Sequence, residues 1–143
     1  MRLWHYKLIP VLPDKMLISQ WRECIAIKRQ WEKGTLKHRL VSYVMDYNKW
    51  IFLNYVTDVC IELDKRNIKY QRKYYDELRT FCSTELDRTD FLYLEHNNRY
   101  LKQCYYNLQE KADRGIITKE EWNRIIESDV MKNINVETLL EWE

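Results

Sequence analysis

The chain has 143 residues, of which 45% are hydrophobic and 32% charged, and its formal net charge is +2. These values are typical of one globular domain with a buried core, so we predict a single domain over residues 1–143. No apolar run reaches membrane-spanning length and no signal peptide opens the chain. We therefore expect a cytoplasmic protein that has no membrane partner.

The first part of the chain predicts an arm followed by a helix. Glycine and proline number only two each, which favours an all-α fold. Residues 1–9 should form an extended or irregular arm. A first helix should run from about Pro13 to Trp31, with Pro13 in its first turn and Gly34 ending it. Its predicted apolar stripe consists of Leu17, Trp21, Cys24 and Ile25.

The rest of the chain also predicts helices. A second helix should run from about Val41 to Asn67, a loop and a short helix should cover 70–88, and another helix should run from about Asp90 to Arg114. Thr118 and Glu121 have the spacing of a capping box. A short C-terminal helix should contain Leu139, Leu140 and Trp142. We therefore predict a compact helical bundle, with the irregular N-terminal arm packed near the first helix.

Glu23 is unusual for a helical carboxylate outside the apolar stripe. The residues three and four positions away are Ser19, Gln20, Ala26 and Ile27, and none of them is cationic. The face that Glu23 shares with Gln20 is not purely polar, so another segment should cover it. The N-terminal arm is tethered at the same end of the helix, and it would bring the α-amine of Met1 near the Glu23 carboxylate. An α-amine has a pKa near ~8, so part of it is uncharged and nucleophilic at neutral pH.

The cysteines do not predict a metal site. They lie 22 or more residues apart and form no CxxC pair. We expect four reduced thiols, with a disulfide or a zinc site as the alternatives. His5 and His96 have no ligand-like neighbours in the sequence and are predicted to pack in the core or at the surface. The prediction is that the protein binds no metal and no cofactor.

Positive charge is concentrated at the start of the chain. Residues 1–39 contain nine Lys and Arg against three acidic residues, whereas the remainder contains fifteen against nineteen. This distribution indicates a face that binds a polyanion, although a solvated helix face has the same composition. The DNA-binding residues predicted in this segment are Arg2, Lys15, Arg22, Lys28, Lys37 and His38. For His38, a surface position without function is the alternative.

The first third of the chain resembles a known family. The segment "MRLWHYKLIPVLPDKMLISQWREC" is similar to the start of the pyrimidine-dimer DNA glycosylases, of the phage endonuclease V type and its bacterial relatives. The segment "KHRLVSYV", residues 37–44, also resembles a stretch of the bacterial relatives. The remainder of the chain is similar to the family only in being helical.

The resemblance implies a metal-free DNA repair enzyme that acts on damaged double-stranded DNA as a monomer associated with the nucleoid. The N-terminal α-amine, here that of Met1, would attack deoxyribose C1′, release the damaged base and form an imine. Glu23 would stabilise the positive charge on the sugar and help to remove the C2′ proton, so that the strand breaks by β-elimination. Arg22 would contact a backbone phosphate. Together these steps are DNA N-glycosylase and AP lyase activities.

The sequence departs from the phage protein at both ends. Arg2 follows Met1, which disfavours methionine removal, so we expect Met1 to be retained and to supply the amine. The chain ends "VETLLEWE" where the phage protein has an aromatic and basic cluster. Tyr74–Tyr75 or Tyr105–Tyr106 are the candidate stacking platforms, with a place in the core as the alternative reading of both pairs.

Two other classes of function stay open at this point. One is a helical nucleic-acid-binding protein that has the same fold and no catalytic activity. The other is a helical protein-interaction module, which the basic first quarter disfavours. Glu23 together with an unblocked N-terminus favours the enzyme.

Overall fold

The structure, a computed structural model, describes residues 1–82 and 93–132. All regular elements in these two ranges are helical, which confirms the all-α class. The chain divides into two compact units. The first comprises the described residues of Met1–Leu3 and Lys15–Tyr93, and the second those of Trp4–Asp14 and Leu94–Glu143. The single domain over residues 1–143 stays a prediction, and the predicted C-terminal helix lies outside the described residues.

Helix α1 extends from Asp14 to Lys33. It begins one residue later than predicted, so Pro13 precedes its first turn instead of lying within it. Gly34 ends the helix as predicted, with a φ of 73° in the left-handed region that glycine adopts at no steric cost. The Thr35 N–H donates to the Gln30 carbonyl at 2.8 Å, which closes the last turn.

The buried side of α1 is shifted from the predicted stripe. Its buried residues are Leu17, Gln20, Trp21, Cys24, Ile27 and Lys28. Ile25 is only half-buried, so it lies at the edge of the buried side. At 100° per residue, Gln20 and Ile27 lie on the side of the stripe that faces Glu23, whereas Ile25 lies on the other side. The buried arc extends toward Glu23 because the first residues of the chain cover that side of the helix.

The predicted second helix is divided into two elements. A short 3₁₀ helix covers Ser42–Asp46, and α2 covers Lys49–Lys65. The division occurs because the Asn48 side chain accepts the Trp50 N–H at 2.9 Å, the arrangement of a helix N-cap. Helix α2 ends at Lys65, and Asn67 just beyond it has a φ of 58°, in the left-handed region. It buries Ile51, Phe52, Tyr55, Val56, Val59, Cys60 and Leu63.

Helix α3 completes the regular elements described for the first unit. It extends from Arg72 to Cys82 and contacts α2. It is the helix of the predicted loop and short helix, and it occupies most of residues 70–82. Residues 83–88 of that prediction lie outside the described part of the chain. The Trp31 ring of α1 packs edge-on against Phe52 of α2 and Phe81 of α3, with centroid distances of 5.9 and 5.5 Å. This contact joins the three helices.

The second unit begins with a 3₁₀ helix over Tyr6–Val11, so the arm is irregular only over its first five residues and not over 1–9. Helix α4 begins at Asn98, later than predicted, because the Asn97 side chain caps it by accepting the Tyr100 N–H at 2.9 Å. The later helices are α4, Asn98–Asp113; α5, Lys119–Ile126; and α6, Asp129–Lys132. The predicted capping box of α5 is confirmed, with Thr118 and Glu121 exchanging bonds of 2.9 and 3.1 Å.

Two buried histidines lie together in this second unit. The rings of His5 and His96 have a centroid distance of 5.4 Å. Their Nδ1 atoms accept backbone N–H groups, His5 from Lys7 and His96 from Tyr6, each at 3.2 Å. Burial lowers the pKa of His5 to about 4 and that of His96 to about 3. Of the two predicted locations, both histidines therefore occupy the core.

Candidate active site

The first residues of the chain lie against α1 within the first unit. The Gln20 Nε2 atom donates to the Arg2 carbonyl at 2.9 Å. The Arg2 N–H donates to Glu23 Oε2 at 3.5 Å. Two atoms of one peptide segment are thus tied to residues on adjacent turns of the helix. This confirms the prediction that the N-terminal arm packs near the first helix and covers the face of Glu23.

Gln20 is the centre of this arrangement. Its Nε2 atom also donates to Glu23 Oε2 at 3.1 Å, and its Oε1 atom accepts the Tyr55 hydroxyl of α2 at 2.8 Å. A carbonyl and a carboxylate are both acceptors, so the NH₂ end of the amide must face them, and the amide oxygen must face Tyr55. Gln20 is 1% exposed and Tyr55 4%. The network therefore has one orientation, and it fixes the side chain of Glu23.

The Glu23 carboxylate is half-buried and forms no ion pair in the described part of the chain. Within the described part of the chain, no Lys, Arg, His or N-terminal nitrogen lies within 4.0 Å of it. It accepts hydrogen bonds from two N–H donors, the Gln20 amide and the Arg2 backbone. The sequence expectation that Glu23 has no cationic partner on its own helix therefore agrees with the geometry. A carboxylate in this state can stabilise a cation that forms beside it.

The α-amine of Met1 is close to Glu23 and adjacent to His38. Three covalent bonds join the Met1 and Arg2 nitrogens, which limits their separation to about 4.3 Å. The amine is therefore more than 4.0 Å and at most about 8 Å from Glu23 Oε2. It lies 3.5 Å from His38 Nε2.

The tautomer of His38 follows from its other ring nitrogen. Nδ1 accepts the Leu40 N–H at 3.3 Å, so the neutral ring carries its proton on Nε2. An N–H at this position faces the amine and can donate to the lone pair of its uncharged form. The sequence predicted a contact between His38 and DNA, and it gave no signal for this placement beside the amine.

The predicted DNA-binding residues differ in accessibility. Arg2 is half-buried, whereas Lys15, Arg22, Lys37 and His38 are exposed. Lys28 is buried, and its ammonium pairs with Glu32 at 3.1 Å. The structure thus presents most of these residues to solvent and directs Lys28 to a neighbour on its own helix.

A cavity of about 250 Å³ lies beside Arg22 in the same unit. Its lining residues are Ile18, Trp21, Arg22, Ile25, Lys69, Tyr70, Gln71 and Tyr74. The Arg29 guanidinium lies 5.3 Å from the centroid of the half-buried Tyr74 ring. Tyr75, Tyr105 and Tyr106 are half-buried as well, so the two tyrosine pairs are neither fully exposed platforms nor core residues.

Other candidate reactive groups are less available than the amine. Cys24 is fully buried beside Glu23, and burial raises the pKa of its thiol well above the usual value. The neighbouring Cys60 thiol has its pKa raised to about 12, again chiefly by burial. Across residues 1–82 and 93–132, no three His, Cys, Asp or Glu side chains are placed to hold a metal ion. The helices of these two ranges are all too short or too polar to cross a membrane.

Comparison with known proteins gives one match. The family model described as pyrimidine dimer DNA glycosylase matches residues 1–76, which is just over half of the chain and includes Met1, Gln20, Glu23, His38 and Tyr55. No curated protein and no solved structure matches the chain. Because its N-terminal half fits this family and its fold is all-α, the chain belongs to the pyrimidine dimer DNA glycosylases, a family of DNA repair enzymes.

Proposed function

We propose that this glycosylase is bifunctional: it removes a damaged base, as at a pyrimidine dimer, and then cleaves the strand as an AP lyase through an imine on the α-amine of Met1. The observation that carries the proposal is the hydrogen bond between the Arg2 N–H and Glu23 Oε2. It joins the peptide that begins with the amine to Glu23, whose carboxylate has no cation within 4.0 Å in the described residues.

The separation of the two groups suits a sugar between them. An attacking nitrogen approaches a carbon at about 3–3.5 Å, and a carboxylate that stabilises the same carbon stands at a similar distance from it. Two such contacts to one carbon place the amine and the carboxylate at most about 6–7 Å apart, which lies within the range of more than 4.0 Å to about 8 Å found for the two groups. A deoxyribose C1′ can therefore contact both groups, provided that the nucleotide leaves the duplex stack.

The first half of the reaction replaces the bond to the base by a bond to the protein. The lone pair of the uncharged amine forms a C1′–N bond, and the C1′–base bond breaks with its electron pair leaving on the base, which takes up a proton. The new secondary ammonium gives a proton to Glu23. Its lone pair then expels O4′, which recovers that proton, and the open sugar is left as a positively charged imine. Glu23 stabilises each cationic stage by its charge.

The second half breaks the strand. The positive imine acidifies the C2′ proton, which the Glu23 carboxylate removes as general base. The electron pair forms the C1′–C2′ enamine and then expels the 3′ phosphate, so that the C3′–O bond breaks. Water hydrolyses the resulting unsaturated imine, which returns the free amine of Met1 and leaves an unsaturated aldehyde on the DNA.

The exposed cations of the first 39 residues supply the contacts to DNA in this proposal. Lys15, Arg22 and Lys37 are exposed and can approach phosphates. Lys28 is left out because Glu32 already neutralises it. Arg22 also lines the cavity that contains Trp21, Tyr70 and Tyr74, and such aromatic and cationic walls are typical of surfaces that contact unpaired bases.

A short peptide extension, added either at the N-terminus or at the C-terminus, tests this proposal. An N-terminal extension of a few residues converts the Met1 nitrogen into an amide, which has no nucleophilic lone pair. We expect the extended protein to bind ultraviolet-irradiated duplex DNA and to cleave it at less than about a hundredth of the normal rate. The same extension placed at the C-terminus is the matched control and should leave cleavage intact. Equal cleavage by the two tagged proteins would refute the role of the amine and favour another nucleophile, and tight binding without any cleavage in both would favour a non-catalytic DNA-binding protein.

A further inference from the structure

We propose that Gln20 is a positioning residue for the reaction: through Tyr55 it holds the N-terminal segment and the Glu23 carboxylate in one fixed relation. The inference deepens the proposed function and rests on it. No signal in the sequence points to Gln20, because a glutamine on a helix is usually a solvated residue.

Three hydrogen bonds converge on the buried side-chain amide of Gln20. Nε2 donates to the Arg2 carbonyl at 2.9 Å and to Glu23 Oε2 at 3.1 Å, and Oε1 accepts from Tyr55 at 2.8 Å. The two N–H groups of one planar NH₂ have a fixed angle between them. The position of the arm is therefore coupled to the position of the carboxylate, although 21 residues separate Arg2 from Glu23 in sequence.

Tyr55 anchors the amide to the neighbouring helix. It lies on α2, whose buried face packs in the core of the first unit, and its hydroxyl is itself buried. A rotation of the amide by 180° would direct Oε1 at two acceptors and remove both bonds to the site. The Tyr55 hydroxyl donates to Oε1 and so holds the other end of the amide in place. A chain of hydrogen bonds thus runs from Arg2 in the arm through Gln20 on α1 to Tyr55 on α2.

The bond from Gln20 to the Arg2 carbonyl also restricts the position of the Met1 amine. The amine of Met1 is only three bonds from the Arg2 nitrogen and is held by few other contacts, of which the one to His38 is long at 3.5 Å. Loss of Gln20 removes the 2.9 Å bond to the Arg2 carbonyl, and the bond from the Arg2 N–H to Glu23 is longer, at 3.5 Å. A displacement of about 1 Å is enough to slow a positioned reaction by up to about a hundredfold. Gln20 therefore determines which amine reacts and how fast, while it contacts neither the sugar nor the base.

The test uses the full chain with an unblocked N-terminus and abasic-site duplex DNA. Gln20→Met retains the length of the side chain and removes all three bonds, and Gln30→Met on the same helix is the matched control. Tyr55→Phe is the milder variant, because it removes one hydroxyl and leaves the ring in the core. The measurements are the single-turnover rate of borohydride-trapped adduct formation, the affinity for uncleavable abasic-analogue DNA, and the peptide that carries the adduct.

We expect Gln20→Met to slow adduct formation by about tenfold to a hundredfold while its affinity for the abasic analogue stays within about threefold. Part of its adduct should move from Met1 to a lysine, a change that a loss of stability would not produce. Tyr55→Phe should show a smaller effect in the same direction, and Gln30→Met none. Wild-type rates with the adduct on Met1 in both Gln20→Met and Tyr55→Phe would overturn the inference and leave the proposed function intact. Failure of the wild-type protein to form any adduct would instead refute the proposed function and this inference with it.

Discussion

The backbone nitrogen of Arg2 lies 3.5 Å from the Glu23 carboxylate, across 21 positions of sequence. This relationship brings the start of the chain to an acidic residue of α1 that has no cation within 4.0 Å in the described residues. The contact suggests why Glu23 has no cation three or four positions away on its own helix: its carboxylate faces the first residues of the chain. The partner that we propose for it is the cation that forms on the sugar.

The first prediction concerns the charge of Glu23. Glu23→Gln preserves size and removes both the charge and the general base, so strand cleavage should fall by at least about a hundredfold while DNA binding is largely retained. Glu77→Gln is a suitable control, because this residue is an exposed acid of α3 outside the first 39 residues. Cleavage and binding should be measured on the same irradiated or abasic duplex. A Glu23→Gln protein that cleaves at nearly the normal rate would remove Glu23 from the mechanism.

The second prediction separates two roles of His38. Its Nε2 atom is 3.5 Å from the amine, so His38→Ala should slow imine formation by about tenfold with little change in affinity. Arg39→Ala removes the neighbouring exposed cation and serves as the control for the reaction step: it should leave the rate of imine formation by bound protein unchanged. If His38 contacts phosphate instead, as the sequence predicted, the variant should bind DNA more weakly, with a smaller salt dependence, and should react normally once bound.

The third prediction concerns the DNA-binding face. Affinity for duplex DNA should fall steeply with salt, because contacts between cations and phosphates release counterions. Arg22→Glu should weaken binding strongly and reduce the slope of log affinity against log salt by about one or more. Lys132→Glu provides the comparison, as an exposed cation far along the sequence in α6. Equal losses in the two variants would contradict the assignment of the face to the basic N-terminal segment.

The fourth prediction concerns acid stability. Burial lowers the pKa of His5 to about 4 and of His96 to about 3, whereas both should titrate near 6.5 in the unfolded chain. Below pH ~6.5 the unfolded state therefore binds more protons than the folded state, so stability that is fully present above this pH is lost as the pH falls toward 4 and 3.

Urea unfolding at a series of pH values measures this effect. The free energy of unfolding should decrease between pH ~6.5 and pH ~4, and the decrease should be smaller in His96→Gln, which cannot titrate. Protonation of carboxylates also destabilises proteins in acid, and the difference between the two proteins isolates the histidine contribution. The same pH dependence in both would show that His96 does not titrate on unfolding as its buried state requires.

The sequence predicted the parts of the molecule that depend on local chemistry. Gly34 and the capping box of Thr118 and Glu121 were located correctly, because left-handed backbone and reciprocal capping bonds require particular residue types. Two helix starts were misplaced because Asn48 and Asn97 act as N-caps within segments that otherwise have a helical composition. Asparagine occurs in many environments, and only the structure identifies a particular one as a cap.

For the candidate site, the sequence pointed to the pair proposed to react, Met1 and Glu23, and not to the residues that support it. Glu23 was evident from its missing cationic neighbours, and the arm from its tether to α1. Gln20 and Tyr55 were missed because a hydrogen bond between residues 35 positions apart leaves no pattern along the chain. Likewise, the turn that brings His38 to the amine depends on long-range packing, for which the sequence carries no local signal.

Borohydride trapping tests the central claim most directly. The untagged protein is incubated with duplex DNA that carries an abasic site or a pyrimidine dimer, and the reductant converts an imine into a stable protein–DNA adduct. We expect peptide mass spectrometry to locate the adduct on the α-amine of Met1, because an α-amine with a pKa near ~8 is far less protonated at neutral pH than a lysine near ~10.4. An adduct on Lys7 or Lys15 would contradict the N-terminal nucleophile, and tight DNA binding without any adduct would contradict the lyase mechanism altogether.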